Sequence, residues 1–126
     1  MNDRGMVLAA GIGSRLRPLT ERLAKPVVPL FGRPVLTHSL RQLACAGVNQ
    51  VVVNAHHLPE TVADVVSDVS AGEQRLTVSF EDELLGTGGG LKRAAAFFKG
   101  CTAVPVVNGD IVVRVDWASV LSEHVR

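Results

Sequence analysis

The sequence predicts an α/β fold built on a doubly wound parallel sheet. Apolar runs alternate along the chain with segments whose apolar residues recur at helical spacing, which is typical of parallel sheets with crossover helices. The run from Val51 to Val53 is continuously apolar, as expected for a strand that is buried on both faces. With 126 residues, of which 47% are hydrophobic, the chain is long enough for one domain, residues 1–126, with a well-buried core.

A strand is predicted in each apolar run. The strands extend from Met6 to Ala10, from Gln50 to Asn54, from Leu76 to Glu81 and from Ala103 to Asn108. The third alternates apolar and polar residues, which indicates a half-buried strand. Because Pro105 cannot donate to a sheet ladder, the fourth strand either begins there or lies at a sheet edge.

A helix is predicted after each strand. The first extends from near Pro34 to Ala46 and stops at Gly47, a typical residue just past a helix end. The second begins near Pro59, which suits a first turn. The third covers about Gly90 to Phe98, and the last begins near Asp116, which can serve as an N-cap.

The first strand leads into a glycine loop and then into three cations. Residues 8–20 read LAAGIGSRLRPLT, and Lys25 follows. Gly11 and Gly13 let backbone N–H groups approach a ligand closely. Arg15, Arg17 and Lys25 supply the positive charge that phosphates require. Together these features predict a triphosphate-binding site.

Two other phosphate-binding loops fit these residues less well. A dinucleotide fingerprint has a third glycine where this chain has Leu16, and it needs an acidic residue where the second strand ends in Asn54. A P-loop ends in Gly-Lys-Ser/Thr, and this sequence contains no such triplet. The remaining alternative is a turn that contains a pair of glycines flanked by surface arginines.

Two further segments carry groups that suit a nucleotide. Residues 83–90 read ELLGTGGG, a second glycine loop that either contacts a ligand or is a flexible lead into the third helix. Residues 106–110 read VVNGD and end in Asp110. A carboxylate at a strand end suits Mg²⁺, which prefers oxygen ligands, although such aspartates also serve in turns. If the strand order is 3-2-1-4, residues 11–17 and 108–110 lie side by side at the switch point of the sheet.

The segments LAAGIGSRLRPLT and KPVVPLFGRPVL resemble the opening of the sugar-phosphate nucleotidyltransferases. Members of this family join a nucleoside triphosphate to a sugar 1-phosphate and release pyrophosphate. The resemblance extends from about Met6 to Trp117 and departs from the family pattern at Ala24, where a proline usually precedes the lysine. It implies the Rossmann-like nucleotide-binding half of the nucleotide-diphospho-sugar transferase fold.

The resemblance implies roles for individual residues. Arg15 matches the arginine that grips the β- and γ-phosphates, Lys25 the lysine at the α-phosphate, and Asp110 the aspartate that binds the expected cofactor, Mg²⁺. Arg17 lies where the family varies, so a surface role is equally open. The residues expected to contact the nucleotide are Leu8, Ala10, Gly11, Gly13, Glu83, Gly86, Thr87, Gly88 and Asn108. The last of these either contacts the ligand or only completes its turn.

The turn after the second strand reads NAHHL and resembles one branch of the family, which includes muramic acid 1-phosphate uridylyltransferases and mannose 1-phosphate guanylyltransferases. This resemblance makes UTP or GTP the expected nucleotide. Adjacent His56 and His57 point apart and have no evident third ligand, so we expect hydrogen bonds that stabilise the turn rather than a metal site.

Composition argues against several classes of partner. The formal net charge of +1 gives no global field that would favour nucleic acid or acidic membranes. The amino terminus lacks the apolar stretch of a signal peptide, and no apolar run approaches the length of a membrane helix, so a cytoplasmic protein is expected. Cys45 and Cys101 lie among apolar or small residues and are expected to be buried thiols.

The resemblance covers only the nucleotide-binding half of the family fold. No residue after Asp110 matches the second metal-binding aspartate or the sugar-binding residues, so we expect a chain that lacks the acceptor half. A catalytically incomplete nucleotide-binding regulatory module is the alternative, and a fragment of an NAD-dependent oxidoreductase is a third interpretation. An exposed sheet edge and apolar faces would favour self-association into a homo-oligomer.

Overall fold

The computed structural model describes residues 3–69 and 72–126, and within them a four-stranded parallel sheet lies at the centre. The strands in chain order are β1 (Arg4–Leu8), β2 (Pro29–Leu30), β3 (Arg33–Pro34), β4 (Gln50–Ala55), β5 (Arg75–Phe80) and β6 (Val106–Asn108). The order across the sheet is β5-β4-β1-β6, while β2 and β3 pair as a separate antiparallel hairpin. The doubly wound α/β class is confirmed, and the strand order is the one that brings residues 11–17 and 108–110 side by side.

A helix follows each strand of the four-stranded sheet. These helices are α1 (Val35–Cys45), α2 (Pro59–Val69), α3 (Gly86–Arg93) and α4 (Trp117–His124), with short 3₁₀ turns at Ser14–Leu16, Leu19–Glu21, Lys25–Val27 and Ala95–Phe98. The predicted starts at Pro59 and after Asp116 are confirmed. The Asp116 carboxylate accepts hydrogen bonds from the Ser119 hydroxyl at 2.7 Å and from the Ser119 backbone N–H at 3.2 Å, and both lower the pKa of that carboxyl.

Apolar side chains pack on both faces of the sheet, because successive residues of a strand point to opposite sides. On one face, Val7 is fully buried together with Leu40 from α1 and Val62 from α2. On the other face, Met6 is fully buried and packs with Ala94, just after α3. Helices on both faces leave the carboxyl ends of the strands as the place where loops converge.

The first and last strands of the sheet differ most from their predicted bounds, while the bounds of the other two strands differ by at most one residue. The first strand ends at Leu8 rather than Ala10, because the Ala9 N–H donates to the side chain of Asn54 at 2.7 Å and not to the sheet ladder. The strand predicted from Ala103 begins only at Val106. The carbonyl of Pro105 accepts a hydrogen bond from the Met6 N–H at 3.0 Å, so the proline directly precedes an edge strand.

The third helix begins at Gly86, four residues before the predicted Gly90, and ends at Arg93 rather than continuing to Phe98. The low helix propensity of glycine favoured a loop in this segment. Close packing overrides that propensity at Gly90, where a Cβ would lie 2.8 Å from Nδ2 of Asn54. Gly90 therefore permits a close approach of α3 to β4.

The prediction that both cysteines are buried is wrong for Cys45, which is exposed, and Cys101 is only partly buried. Cys45 is the last residue of α1 and lies off the face that buries Leu36 and Leu40. Both thiols are free. In residues 3–69 and 72–126, no helix combines the length and apolar character needed to cross a membrane. Residues 1–2, at the amino terminus considered for a signal peptide, lie outside the described residues.

Candidate nucleotide site

A cavity of about 360 Å³ opens at the carboxyl ends of β1, β4 and β6. The chain runs from β1 to β4 and β5 on one side and then returns to β6 on the other, so this is the switch point at which doubly wound sheets bind ligands. The residues that line the cavity are Leu8, Ala9, Ala10, Gly11, Gly13, Lys25, Pro26, Asn54, Leu84, Gly86, Thr87, Asn108 and Asp110.

The first glycine loop folds back on itself and brings Lys25 to the cavity. Gly13 has a φ of 66°, a left-handed conformation that favours glycine. A Cβ at this position would lie 2.9 Å from Cβ of Lys25 and 2.9 Å from Cγ2 of Thr20. The buried Thr20 hydroxyl donates to the Gly13 carbonyl at 2.7 Å and fixes the turn. The loop is therefore closed by contacts that only glycine at position 13 permits.

An ion pair joins the two loops on the β1 and β6 side of the cavity. Nζ of Lys25 lies 2.7 Å from Oδ2 of Asp110, and each side chain keeps about a third of its surface exposed, at 35% and 32%. The Gly109 N–H donates to the Leu8 carbonyl at 2.8 Å, and the Ser39 hydroxyl of α1 donates to the Asn108 carbonyl at 2.8 Å. These bonds hold the loop after β6 beside the loop after β1, as the sequence predicted.

Asp110 can supply an oxygen ligand to a divalent cation. Among the described residues no group of three or more His, Cys, Asp or Glu side chains could enclose a metal by itself. Mg²⁺ does not require such a cage, because it is commonly bound through one or two carboxylates together with water and substrate phosphates. The donor set therefore fits a magnesium ion that arrives with a phosphorylated ligand.

The second glycine loop forms the opposite wall. Leu84, Gly86 and Thr87 line the cavity, and the latter two are the first residues of α3. The N–H groups of a first helical turn have no partner within the helix and carry partial positive charge. The wall can therefore donate hydrogen bonds to a polar or anionic ligand.

The structure brings most of the predicted site residues to one cavity, namely Leu8, Ala10, Gly11, Gly13, Lys25, Gly86, Thr87, Asn108 and Asp110. Arg15, Glu83 and Gly88 do not line it, and all three are exposed. Arg15 lies in the 3₁₀ turn that directly follows Gly13, a residue that does line the cavity.

Two buried residues at this site, Asn54 and Glu81, were missed. Asn54 lines the cavity, and its Nδ2 donates to Oε1 of Glu81 at 2.9 Å. The signal available in the sequence was a polar residue at the end of the apolar run VVVN, where burial demands a partner.

The two histidines make hydrogen bonds, as predicted, but both partners are backbone carbonyls outside their own turn. Nδ1 of His56 donates to the Glu81 carbonyl at 2.9 Å, and Nε2 of His57 donates to the Thr20 carbonyl. His57 thus also ties the first loop to the turn after β4.

The chain belongs to the nucleotidyl transferase family, whose profile matches residues 4–126. Mannose-1-phosphate guanylyltransferase of Mycobacterium tuberculosis is 38% identical over 119 residues, which cover 94% of this chain and 33% of that protein. A UTP–glucose-1-phosphate uridylyltransferase of Synechocystis is 33% identical over 132 residues, covering 96% of this chain and 34% of that one.

A solved structure shares this fold. HddC from Yersinia pseudotuberculosis, crystallised with GMP-PN, superimposes with a TM-score of 0.82 at 26% identity, over 95% of this chain and 53% of that one. The chain thus spans about a third of the length of the curated relatives it matches and about half of this solved relative.

Proposed function

We propose that this chain binds a magnesium nucleoside triphosphate and forms the nucleotide-binding half of a sugar-1-phosphate nucleotidyltransferase. The carrying observation is the Lys25–Asp110 pair, with 2.7 Å between Nζ and Oδ2, at a cavity walled by two glycine loops. A phosphate oxygen of the sugar 1-phosphate attacks the α-phosphorus, the bond to the β-phosphate oxygen breaks, and pyrophosphate leaves. Because both reactants are anions, this transfer depends chiefly on positioning and charge neutralisation.

The ion pair supplies a cation and a metal ligand that are already side by side. Asp110 would hold Mg²⁺, which when bound adds positive charge beside the phosphate oxygens. The Lys25 ammonium then becomes available to a non-bridging oxygen of the α-phosphate, where negative charge grows during attack. Both side chains are partly exposed, so they can change partners at little cost.

Arg15 has a role at the outer phosphates in this proposal. Its turn follows Gly13 directly and stands at the edge of the cavity, toward which the end of a triphosphate would extend. A guanidinium group binds phosphate oxygens in a bidentate manner and suits departing pyrophosphate. Arg15 therefore binds the β- and γ-phosphates without lining the cavity itself.

The second loop receives the base and ribose. Gly86 and Thr87 line the cavity, and Glu83 and Gly88 flank them. Relatives named guanylyltransferase and uridylyltransferase make GTP and UTP the nucleotides to test first. The cytoplasmic location and the self-association expected from the sequence stay predictions.

A thermal-shift series tests the nucleotide part of the proposal. The chain is heated with Mg²⁺ and UTP, GTP, dTTP, ATP or CTP, with NAD as the control. Ligands that bind the native state raise the midpoint by mass action. We expect a Mg²⁺-dependent rise with UTP or GTP and none with NAD; a rise with NAD alone would favour a dinucleotide-binding protein instead.

Pyrophosphate release separates an enzyme from a binding module. The second candidate is a module that binds nucleotide without turnover. Release of pyrophosphate from GTP with mannose 1-phosphate, or from UTP with glucose 1-phosphate, supports the transferase. A nucleotide-dependent thermal shift without any release supports the module.

A further inference from the structure

Behind the cavity, Asn54 and Glu81 are only 3% and 4% exposed and contact each other. We propose that this pair, here called the loop-spacing couple, sets the distance between the two glycine loops and so positions both walls of the nucleotide site. The role in nucleotide binding rests on the proposed function. Asn54 and Glu81 are positioning residues in this inference, because they act through backbone groups of the loops.

The loop-spacing couple is bonded to one backbone amide in each loop. Oδ1 of Asn54 accepts from the Ala9 N–H at 2.7 Å, where the first loop begins. Oε2 of Glu81 accepts from the Leu85 N–H at 3.3 Å, directly before Gly86. With the 2.9 Å bond inside the couple, three hydrogen bonds in series connect the two cavity walls. A change in this series therefore changes the width of the cavity.

The series has a fixed pattern of donors and acceptors. The Ala9 and Leu85 N–H groups donate at the two ends, so both outer positions of the couple must accept. The central bond then needs one further donor and one further acceptor. One amide and one carboxylate satisfy all three bonds, whereas two amides or two carboxylates do not.

The surroundings leave the couple little room to move. The Glu81 N–H donates to the Ala55 carbonyl at 2.8 Å, which anchors Glu81 just beyond β5. A Cβ on Gly90 would lie 2.8 Å from Nδ2 of Asn54 and 3.0 Å from Oε1 of Glu81, so α3 closes over the couple. Burial of a carboxylate whose hydrogen-bond donors are neutral costs free energy of folding compared with apolar packing. The fixed geometry of the couple is the benefit that explains why a carboxylate is buried here.

Polarity-swapped variants test this inference. In Glu81→Gln, the new side-chain NH₂ group must face another donor, either the side-chain amide of Asn54 or the backbone N–H of Leu85. In Asn54→Asp, two carboxylates come into contact. The double variant Asn54→Asp/Glu81→Gln reverses the central bond and restores all three hydrogen bonds, with the net charge unchanged. A structural role that needs only size or burial would not distinguish the double variant from the single ones.

A matched control lies at the other end of the same strand. Nε2 of Gln50 donates to Oδ2 of Asp3 at 3.0 Å, another amide–carboxylate bond, far from the carboxyl edge of the sheet. Gln50→Glu creates the same carboxylate contact there as Asn54→Asp does at the cavity. We expect it to leave nucleotide affinity and the Ala9 and Leu85 amides unchanged.

Two readouts are measured on the full chain: hydrogen exchange of the Ala9 and Leu85 amides by NMR, and affinity for Mg²⁺–GTP and Mg²⁺–UTP by calorimetry. We expect each single variant to exchange faster at one or both amides and to lose about tenfold in affinity, the effect of one lost charge-assisted bond. The double variant should regain the slow amide exchange and the nucleotide affinity of the unmodified chain.

The outcomes separate this inference from the proposed function. Single variants with unchanged exchange and affinity would overturn the inference, and so would a double variant as impaired as the single ones. If a single variant does not fold, the test is whether the double variant folds and has the amide exchange and nucleotide affinity of the unmodified chain. An unmodified chain that binds neither nucleotide would refute the proposed function, and the couple's role in nucleotide binding with it, even if amide exchange follows the pattern.

Discussion

The replacement of Gly13 by alanine should damage the fold, while the same replacement two residues earlier should not. Gly13 has a φ of 66°, and an added Cβ would lie 2.9 Å from side-chain carbons of Thr20 and Lys25. The left-handed conformation costs an alanine about 1–2 kcal/mol, and the forced contacts add about 1–3 kcal/mol. We therefore expect Gly13→Ala to lower the free energy of unfolding by about 2–5 kcal/mol.

Gly11→Ala is the matched control, because a Cβ at Gly11 meets no heavy atom within 4 Å and Gly11 lines the cavity. Its stability should be unchanged or raised by up to about 1 kcal/mol, whereas its nucleotide affinity should fall, because the methyl group occupies the cavity. Urea unfolding followed by circular dichroism measures both stabilities. A Gly13→Ala protein as stable as Gly11→Ala would refute this description of the loop.

Three further predictions concern single side chains. Lys25→Met should change the free energy of unfolding by less than about 1 kcal/mol, because the pair with Asp110 is partly exposed. It should nevertheless weaken nucleotide binding in calorimetry, and an unchanged affinity would show that Lys25 does not contact the nucleotide. Gly90→Ala should destabilise the protein through contact with the loop-spacing couple. Gly88→Ala, where a Cβ meets nothing within 4 Å, should stabilise α3 in thermal unfolding. A Gly90→Ala protein more stable than Gly88→Ala would contradict this. The pKa of Asp116 is lowered in the folded protein, so the contribution of its carboxylate to stability is present above the unfolded value of 3.8 and is lost as the pH falls. The difference in the free energy of unfolding between the unmodified chain and Asp116→Ala should therefore shrink in acid. A difference that does not depend on pH would count against the N-cap.

The buried position of β4 in the sheet could be predicted from the sequence because apolar periodicity reports burial. The run around Val52 is apolar throughout, and it forms an inner strand with both faces covered. The start of α3 could not be predicted in the same way, because glycine at 86 and 88–90 has poor intrinsic helix propensity. The approach of Gly90 to β4, a tertiary contact, explains why glycine occupies that position of the helix.

At the site, residues next to each other in a motif could be predicted, and residues joined across the fold could not. The loops around Gly13 and Asp110 follow strands directly, so the fold rule brings them together. Asn54 and Glu81 are 27 residues apart and meet only because β4 and β5 pair in register. For that reason the exposed Glu83, which matches a motif, was predicted while the buried Glu81 was missed.

Calorimetric titration of the chain with GTP and UTP, each with and without Mg²⁺, tests the central claim most directly. The Lys25–Asp110 pair should bind nucleotide and metal together, because Asp110 alone cannot enclose a cation and the phosphates supply the remaining oxygens. We predict binding of one nucleotide per chain that requires Mg²⁺. The absence of binding, or binding of equal strength without the metal, would contradict the proposed site.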